Sequence, residues 1–216
     1  MSYYGAERER TFKAYNLADY DSSRATGLYN IPTLEAEYHI PSKLIAFNKM
    51  LSEKDKSNGV HFFIDDYQFE RVWNRPQFYI EKLKQFDCCF TPDFSLYTDM
   101  PMAMQIYNVY RSRLIGQMMQ DEGIKVIPTV GWSDEKSYSF CFDGLPEKGV
   151  VAVSTVGIMR NKAAKELFYK GMEAMIERLN PLKIIMYGKP LEGFGDNVIT
   201  FESEVSARMN ASRRAG

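Results

Sequence analysis

The chain alternates between two hydrophobic patterns after about residue 59. Short, continuous apolar runs alternate with stretches in which apolar residues recur at helical spacing. Uninterrupted short runs are typical of parallel strands that are buried on both faces. The predicted strands lie at 60–65, 88–92, 124–132, 150–157, 182–188 and 198–201. The sequence therefore predicts an α/β fold of repeated βα units with a mainly parallel sheet, either open or closed into an incomplete barrel.

The helical stretches between these runs carry start and stop signals. One begins near Asn74–Pro76, and a second runs from about Pro101 to Asp121 and is closed by Gly123. A third runs from about Lys162 to Leu179, with Asn161 as its cap. Five or six βα units are too few for a complete eight-unit barrel. No glycine-rich dinucleotide fingerprint follows any strand, which disfavours a Rossmann fold.

The first 59 residues follow neither pattern clearly. Residues 19–41 are expected to be irregular or briefly extended, and 41–51 is predicted to form one helix from its apolar stripe. We therefore divide the chain into an irregular region at 1–59 that packs on the core, a βα-repeat core at 60–201 and a flexible tail at 202–216.

Composition narrows the function classes. The 216 residues include 28 acidic and 27 basic side chains, so no overall field draws the chain to nucleic acid or to an anionic membrane. No apolar run approaches the roughly 18 residues that span a bilayer, and the amino terminus lacks a signal-peptide core. Three cysteines without metal spacing suit a reducing compartment. A cytoplasmic protein is expected.

In parallel βα folds, ligands bind beyond the carboxyl ends of the strands. The residues that follow the predicted strands are therefore the candidate site, and we call them the rim. They are Asp65, Asp66, Tyr67, Asp93, Ser95, Tyr97, Trp132, Ser154, Thr155, Gly157, Tyr187 and Lys189.

Asp65, Asp66 and Asp93 follow consecutive strands, which are usually spatial neighbours. Such carboxylates could bind Mg²⁺, or could divide catalytic acid and base roles between them. Aspartate is also common in βα loops because it caps helices and forms turns. We expect that capping role for Asp99 and Asp134, each of which precedes a predicted helix.

Two further groups on the rim have a functional and an ordinary interpretation. Ser154, Thr155 and Gly157 precede a helix and could hold phosphate, with Lys189 adding a positive charge, although any βα turn needs small residues. Trp132 and Tyr187 could stack on a base or sugar, or could close the top of the core.

Other polar residues are expected to be structural. His61 is predicted to begin a strand at the end opposite the rim, and with two histidines in the chain a histidine triad or zinc site is disfavoured. Arg111 and Arg113 are expected on a solvated helix face, as are other scattered basic residues. Cys88 and Cys89 are expected to be buried packing residues in a strand.

Long strings of the chain match a known family in order. HFFIDDYQFERVW, FTPDFSLYTDMPMAMQIYNVYRSR, GIKVIPTVGW, SFCFDGLP and MIERLNPLKIIMYG resemble the DUF4417 proteins of bacteria, phages and other mobile elements, across roughly residues 30–190. The resemblance implies an intracellular, phage-type protein and brings no activity with it. At Val156, where the family pattern leads us to expect histidine, the chain departs from it.

Two functions from different classes remain open, and the sequence does not decide whether the protein is an enzyme. The rim could bind or process a phosphorylated small molecule or nucleotide. Alternatively, the chain could be a non-enzymatic interaction protein that binds a host or phage protein in mobile-element replication or in counter-defence. Direct nucleic-acid binding is disfavoured by the balanced charge.

Overall fold

The computed structural model describes residues 6–158 and 161–203, so almost all of the predicted tail lies outside the described residues. The helices are α1 (Ala6–Ala14), α2 (Asp66–Asn74), α3 (Pro76–Leu83), α4 (Met102–Asp121) and α5 (Lys162–Leu179). The strands are β1 (Ala25–Thr26), β2 (Ile31–Pro32), β3 (Leu44–Ala46), β4 (Gly59–His61), β5 (Cys88–Phe90), β6 (Val126–Ile127), β7 (Val150–Ser154), β8 (Lys183–Tyr187) and β9 (Val198–Phe201).

The long strands form two parallel sheets whose order follows the sequence. The first sheet has the order β3-β4-β5-β6 and the second β7-β8-β9. A single parallel bridge between Thr129 and Ala152 joins them, with backbone hydrogen bonds of 2.8 Å on either side of it. Among the described residues no ladder joins β3 to β9, so the sheet is not a closed barrel. The predicted α/β class with an incomplete parallel sheet is confirmed.

Both faces of these sheets are buried, which explains the continuous apolar runs. On one face, Val60, Cys89 and Val126 pack against helices α2, α3 and α4. The second sheet presents Val151, Val153, Ile184 and Met186 to α5 in the same way. The opposite face forms a cluster without helical residues, which we call the inner cluster: Leu44, Phe63, Cys88, Phe90, Ile127, Val150, Ala152, Ile185, Tyr187 and Phe201. Because Leu44 of β3 and Phe201 of β9 both pack on it, the sheet curves around this cluster.

The predicted helix at 41–51 is wrong. Its apolar residues form β3, which pairs in parallel with Gly59–His61, and a short 3-10 turn follows at Phe47–Lys49. The spacing of Leu44, Ile45 and Phe47 fits a strand and a turn as well as it fits a helix, and pairing with β4 decides between them. Helix α2 begins at Asp66, with four residues between it and the end of β4, where the sequence pattern predicted no helix.

Arg111 and Arg113 lie inside the molecule rather than on a solvated face, which corrects the prediction. Only 2% of Arg113 is exposed, and its guanidinium donates hydrogen bonds to the carbonyl oxygens of Cys141 (2.9 Å) and Thr129 (3.2 Å). Arg111 pairs with Glu70 at 2.6 Å and lies 3.8 Å from the centre of the Phe94 ring. These partners come from distant segments, so the helix pattern alone could not reveal the burial.

The segment before β3 lies against the core. Gln117 of α4 donates hydrogen bonds to the carbonyl oxygens of Arg24 and Thr33. Further along, the Glu37 carbonyl accepts a 2.7 Å hydrogen bond from the backbone N–H of Val150, at the start of β7. These bonds fix the backbone that precedes His39.

Candidate functional site

A cavity of about 680 Å³ opens at the carboxyl ends of β5, β6 and β7. Its wall is built by the loops that follow these strands and by the first turn of α5. An adjoining cavity of about 330 Å³ extends to residues 63–65 after β4. The two share Asp93, Leu96, Tyr97, Gly131, Trp132, Ser154 and Val156. The structure therefore places much of the predicted rim around one concave surface.

Asp93 lies where these cavities meet. Among the described residues, no protein group makes a hydrogen bond or ion pair with its carboxylate. A methyl group added at Gly131 would lie 3.7 Å from Asp93 Oδ1, so the bare backbone of the loop after β6 leaves the carboxylate open on that side. Burial and, to a smaller extent, the negative charge of Asp66 raise the pKa of Asp93 to about 7, against the opposing positive charge of Arg113. The carboxyl can therefore gain or lose a proton near neutral pH.

Behind Asp93 lies a small internal space of about 20 Å³, bordered by Asn108, Ser112, Arg113 and Thr129. Roughly 10–15 Å³ of such space and several polar partners are enough to hold one water molecule. Burial also lowers the pKa of Arg113 to about 10, which leaves the guanidinium charged at neutral pH. Asp93 thus faces the ligand-sized cavity on one side and a buried cation on the other.

Asp66 has a structural role in this arrangement. It is the first residue of α2, and its carboxylate accepts hydrogen bonds from the backbone N–H (3.0 Å) and the hydroxyl (2.8 Å) of Ser95. These two bonds tie the loop after β5 to α2, which fixes the loop that carries Asp93. Asp66 therefore acts on Asp93 through its charge and through the position of the loop.

Asp65 is exposed and accepts a 3.3 Å hydrogen bond from Gln68. In the part of the chain that the structure describes, the ligand atoms of Asp65, Asp66 and Asp93 do not all approach within 4.8 Å of one another. The Mg²⁺ site at these three carboxylates stays a prediction.

Aromatic side chains form part of the cavity wall. Trp132 is half-buried, and its indole Nε1 donates a 3.2 Å hydrogen bond to the Leu167 carbonyl of α5. Its ring packs on the bare backbone of Gly171, where an added Cβ would lie 2.0 Å from Nε1. Tyr97 is 60% exposed, and its hydroxyl is 3.1 Å from Ser95 Oγ. The wall therefore offers one fixed indole and one exposed phenol.

The residues predicted to hold phosphate are only partly brought together. Ser154 and Gly157 line the large cavity, and Ser154 Oγ accepts a 3.2 Å hydrogen bond from the N–H of Val156. Thr155 is buried and its hydroxyl donates to the Lys189 carbonyl at 2.8 Å. The Lys189 side chain is exposed and lines neither cavity. At the start of α5, the Asn161 side chain already accepts from the N–H groups of Ala163 and Ala164.

Three other predicted positions lie away from the cavity. Tyr67 is 79% exposed on α2, and Tyr187 belongs to the inner cluster, with its ring 4.3 Å from that of His61. His61 ends β4 on the rim side, so its predicted place at the opposite end is wrong. Burial, and then the charge of Lys49, lowers the pKa of His61 to about 3, which keeps this imidazole neutral.

The cavities also include residues for which the sequence predicted a different role or none. Asp99 lines the large cavity, and α4 begins after Pro101 without a side-chain cap, so the predicted capping by Asp99 is wrong. Asp134 does cap the following 3-10 turn by accepting from the N–H of Lys136. In the described walls of the two cavities, every charged side chain is a carboxylate: Asp65, Asp93 and Asp99. Such walls favour ligands that donate hydrogen bonds or carry positive charge.

Comparison with known proteins gives one family and two phage relatives. A family model described as a domain of unknown function, DUF4417, matches residues 23–203. The Gene 1 protein of Mycobacterium phage L5 is 43% identical over 174 residues, which cover 79% of this chain and 74% of that protein. The Gene 1 protein of Mycobacterium phage D29 is 38% identical over 168 residues, covering 76% of this chain and 62% of that protein, less than two thirds of its length. No solved structure matches. In the described residues no helix is long and apolar enough to cross a membrane.

Proposed function

We propose that this chain, which belongs to the DUF4417 family and is a phage-type protein, binds a small ring-bearing molecule in the cavity around Asp93. The family match confirms the resemblance found in the sequence. It assigns no activity, so the proposal rests on the chemistry of the cavity. The ligand class that fits is a neutral or positively charged planar molecule with N–H donors, such as a nucleobase or nucleoside.

The observation that carries the proposal is the Asp93 carboxyl. It is partly buried, has no hydrogen-bond partner among the described residues, and borders a cavity of about 680 Å³. A partly buried carboxyl without a protein partner is free to accept a hydrogen bond from a ligand, and it gains from that bond because burial removes part of its contact with water. A ligand N–H group would satisfy this carboxyl. Its pKa of about 7 would let it accept a proton from the ligand or donate one at neutral pH.

The rest of the wall supports a ring-bearing ligand. A volume of about 680 Å³ lies within the roughly 300–1,000 Å³ of typical small-molecule sites. Trp132 and Tyr97 provide aromatic surface, which is suited to stacking on a planar ring. Carboxylates alone supply the charge of the described walls, which does not suit a phosphate. A nucleotide would therefore place its base in the cavity and leave its phosphate at the mouth.

Calorimetric titration with nucleosides and their 5′-monophosphates tests the proposal. We expect at least one nucleoside to bind, and we expect its monophosphate to bind no more tightly. Asp93→Asn should weaken binding roughly 10–100-fold. In one orientation of the asparagine amide, its NH₂ group would face the hydrogen-bond donor of the ligand. In either orientation, the amide cannot take up a proton from the ligand as a carboxylate can. Asp134→Asn is the matched control, because Asp134 lies outside both cavities and asparagine keeps its capping role.

Each alternative outcome has a definite meaning. If no nucleoside or base binds, or if Asp93→Asn binds as tightly as the wild type, the proposed function is wrong. A monophosphate that binds more than tenfold tighter than its nucleoside would favour the phosphate site that was predicted at Ser154, Thr155 and Gly157.

A second function, binding of a host or phage protein, is favoured by one specific observation. Tyr67 and Tyr97 are 79% and 60% exposed, and both lie in the loops and first turns on the rim side. Exposed aromatic side chains are enriched at protein interfaces. Affinity purification from infected host cells with the wild type and with a Tyr67→Ser, Tyr97→Ser double variant tests it. A stoichiometric partner that only the wild type retains would support this role, and equal recovery by both would contradict it.

A further inference from the structure

A second group of polar side chains lies at the opposite end of the strands, where β5 begins. His39 Nε2 is 2.6 Å from Asp87 Oδ2, and Lys125 Nζ is 3.3 Å from Asp87 Oδ1. One ligand-type atom from each of His39, Asp87 and Cys88 lies within 4.8 Å of the other two. Among the described residues, His39, Asp87 and Cys88 are the group of three such side chains whose ligand atoms are close enough together to hold a metal ion.

Hydrogen bonds and strand pairing position the backbone of all three residues. Glu37 accepts a 2.8 Å hydrogen bond from the N–H of His39 through its carboxylate, and its carbonyl is bonded to β7. The N–H of Asp87 donates a 2.9 Å hydrogen bond to the Lys56 carbonyl. Cys88 is the first residue of β5. The segment that carries His39 and the segment that carries Asp87 and Cys88 therefore meet at this point in a defined arrangement.

The thiol of Cys88 is the least expected member of the group. The residue is fully buried, and among the described residues its Sγ has no hydrogen-bond partner. Sγ lies over Gly59, where an added Cβ would be only 2.8 Å away, so the glycine makes room for it. A buried cysteine that served only as packing would not need to lie beside a histidine and a carboxylate.

We propose that His39, Asp87 and Cys88 bind a divalent transition metal ion of the Zn²⁺ type. Imidazole nitrogen, carboxylate oxygen and thiolate sulfur are the three donor types that Zn²⁺ takes from proteins. Three protein ligands leave one tetrahedral position for water, and the His39 and Asp87 side chains remain 29% and 24% exposed, which gives the ion a path from solvent. His39 and Asp87 would have to move apart, because the metal would lie between two atoms that are in direct contact in the structure.

Binding of the metal ion releases one proton and leaves no net charge on the ion and its ligands. The Cys88 thiol loses its proton to solvent as the S–metal bond forms, and His39 binds as a neutral imidazole. The thiolate and the Asp87 carboxylate then neutralise the two charges of the ion. Lys125 stays on the second oxygen of Asp87 and orients this ligand, as outer partners of metal ligands commonly do.

The position of the site favours a stabilising role for the ion, although an open fourth position is typical of catalytic zinc sites. The site lies at the amino ends of the strands, and in barrel folds features at that end contribute to stability, whereas reactions take place at the carboxyl ends. The metal would join the segment before β3 to the first residue of β5. This inference is independent of the proposed ligand site, because the two sites share no residue.

Titration with Co²⁺, which substitutes for Zn²⁺ and reports on its ligands, tests the site in the full-length protein. Thiolate ligation gives an intense near-ultraviolet charge-transfer band, and we expect this band in the wild type. Cys88→Ala should abolish the band, and His39→Ala should weaken Co²⁺ binding by at least 10–100-fold, the loss already caused by changes in outer-shell partners. Cys89→Ala is the matched control, because Cys89 is the equally buried neighbour on β5 and faces the helices.

A second measurement covers the case in which Cys88→Ala fails to fold. Zn²⁺ should raise the unfolding midpoint of the wild type and of Cys89→Ala, but not that of His39→Ala, whose changed residue is partly exposed. Absence of the charge-transfer band in the folded wild type would overturn the proposal. So would equal Co²⁺ affinity of the wild type and His39→Ala, or a band that is retained by Cys88→Ala and lost in Cys89→Ala.

Discussion

At the scale of single residues, Asp93 combines a cost to stability with a capacity for binding. Its pKa is about 7 in the folded protein and near 4 in an unfolded chain. Between these pH values the folded state binds the additional proton, so the free energy of unfolding falls as pH rises from about 4 to 7. A residue that only served the fold would not be expected to lower stability at neutral pH.

Asp93→Asn should therefore stabilise the protein above neutral pH. We expect its free energy of unfolding to exceed that of the wild type by roughly 1–3 kcal/mol at pH 8 and to be nearly equal at about pH 3, where Asp93 is protonated in both the folded and the unfolded state. Urea denaturation at the two pH values measures both differences. An asparagine variant that is less stable than the wild type at pH 8 would show that the Asp93 charge is needed for the fold, most directly through Arg113.

The element scale shows why some features could be predicted from the sequence. Strands β8 and β9 and helices α4 and α5 were predicted to within one residue at each end, because unbroken apolar runs and local caps such as Asn161 specify them; β7 ends three residues before its predicted end. Helix α2 was missed, because Asp66 bonds to Ser95 in a distant loop rather than forming a recognisable local cap. Likewise, the burial of Arg113 depends on the carbonyl groups of Thr129 and Cys141, which a helical pattern does not contain.

Part of the predicted rim lines the cavities in the structure, but the sequence could not choose among its residues. Asp93, Trp132 and Ser154 line the cavity, because each lies at or after the carboxyl end of a parallel strand and these ends lie at the same edge of the sheet. Which carboxylate is left without a partner depends on side-chain contacts, such as the Asp66–Ser95 bonds. The cluster of His39, Asp87 and Cys88 could not be predicted for a related reason. His39 and Asp87 are 48 residues apart in sequence and come together only in the folded chain.

Helix α5 supports the cavity through its amino-terminal cap, and this gives a prediction. Asn161→Ala should destabilise the protein by about 1 kcal/mol, because the N–H groups of Ala163 and Ala164 lose their acceptor. Asn161→Asp should keep most of the stability, since aspartate is an equally good cap. Thermal denaturation of the two variants provides the comparison, and equal loss in both would contradict the capping role.

Gly171 of α5 fixes the position of Trp132, because its bare backbone contacts the indole. Gly171→Ala should displace this ring, at a cost of roughly 1–3 kcal/mol for overpacking, although alanine is the better helix former. The displacement should also change the tryptophan emission and weaken ligand binding. A variant with increased stability and unchanged emission would show that the indole accommodates the added methyl group at little cost in free energy.

At the scale of the whole molecule, the inner cluster is the core that both sheets share. Ile127 of β6 is fully buried in it beside residues of β5 and β7. Ile127→Ala should therefore lower the free energy of unfolding by roughly 2–5 kcal/mol in a single cooperative transition. Leu182→Ala, at a residue that is 53% exposed, should change it by less than about 0.5 kcal/mol. Two separate transitions in chemical denaturation would show that the sheets unfold independently.

The single bridge between Thr129 and Ala152 has a consequence for how a ligand would exchange. Cavity residues lie on both sides of it, with Asp93 and Gly131 after the first sheet and Ser154 after the second. Five-residue pairing joins β7 to β8, so the junction between β6 and β7 is where backbone pairing gives way most readily. A molecule bound to Asp93 and Ser154 at once would link the two sheets across that junction. Its residence time would then report how often the two sheets separate, and ligand binding would slow amide hydrogen exchange along β6 and β7.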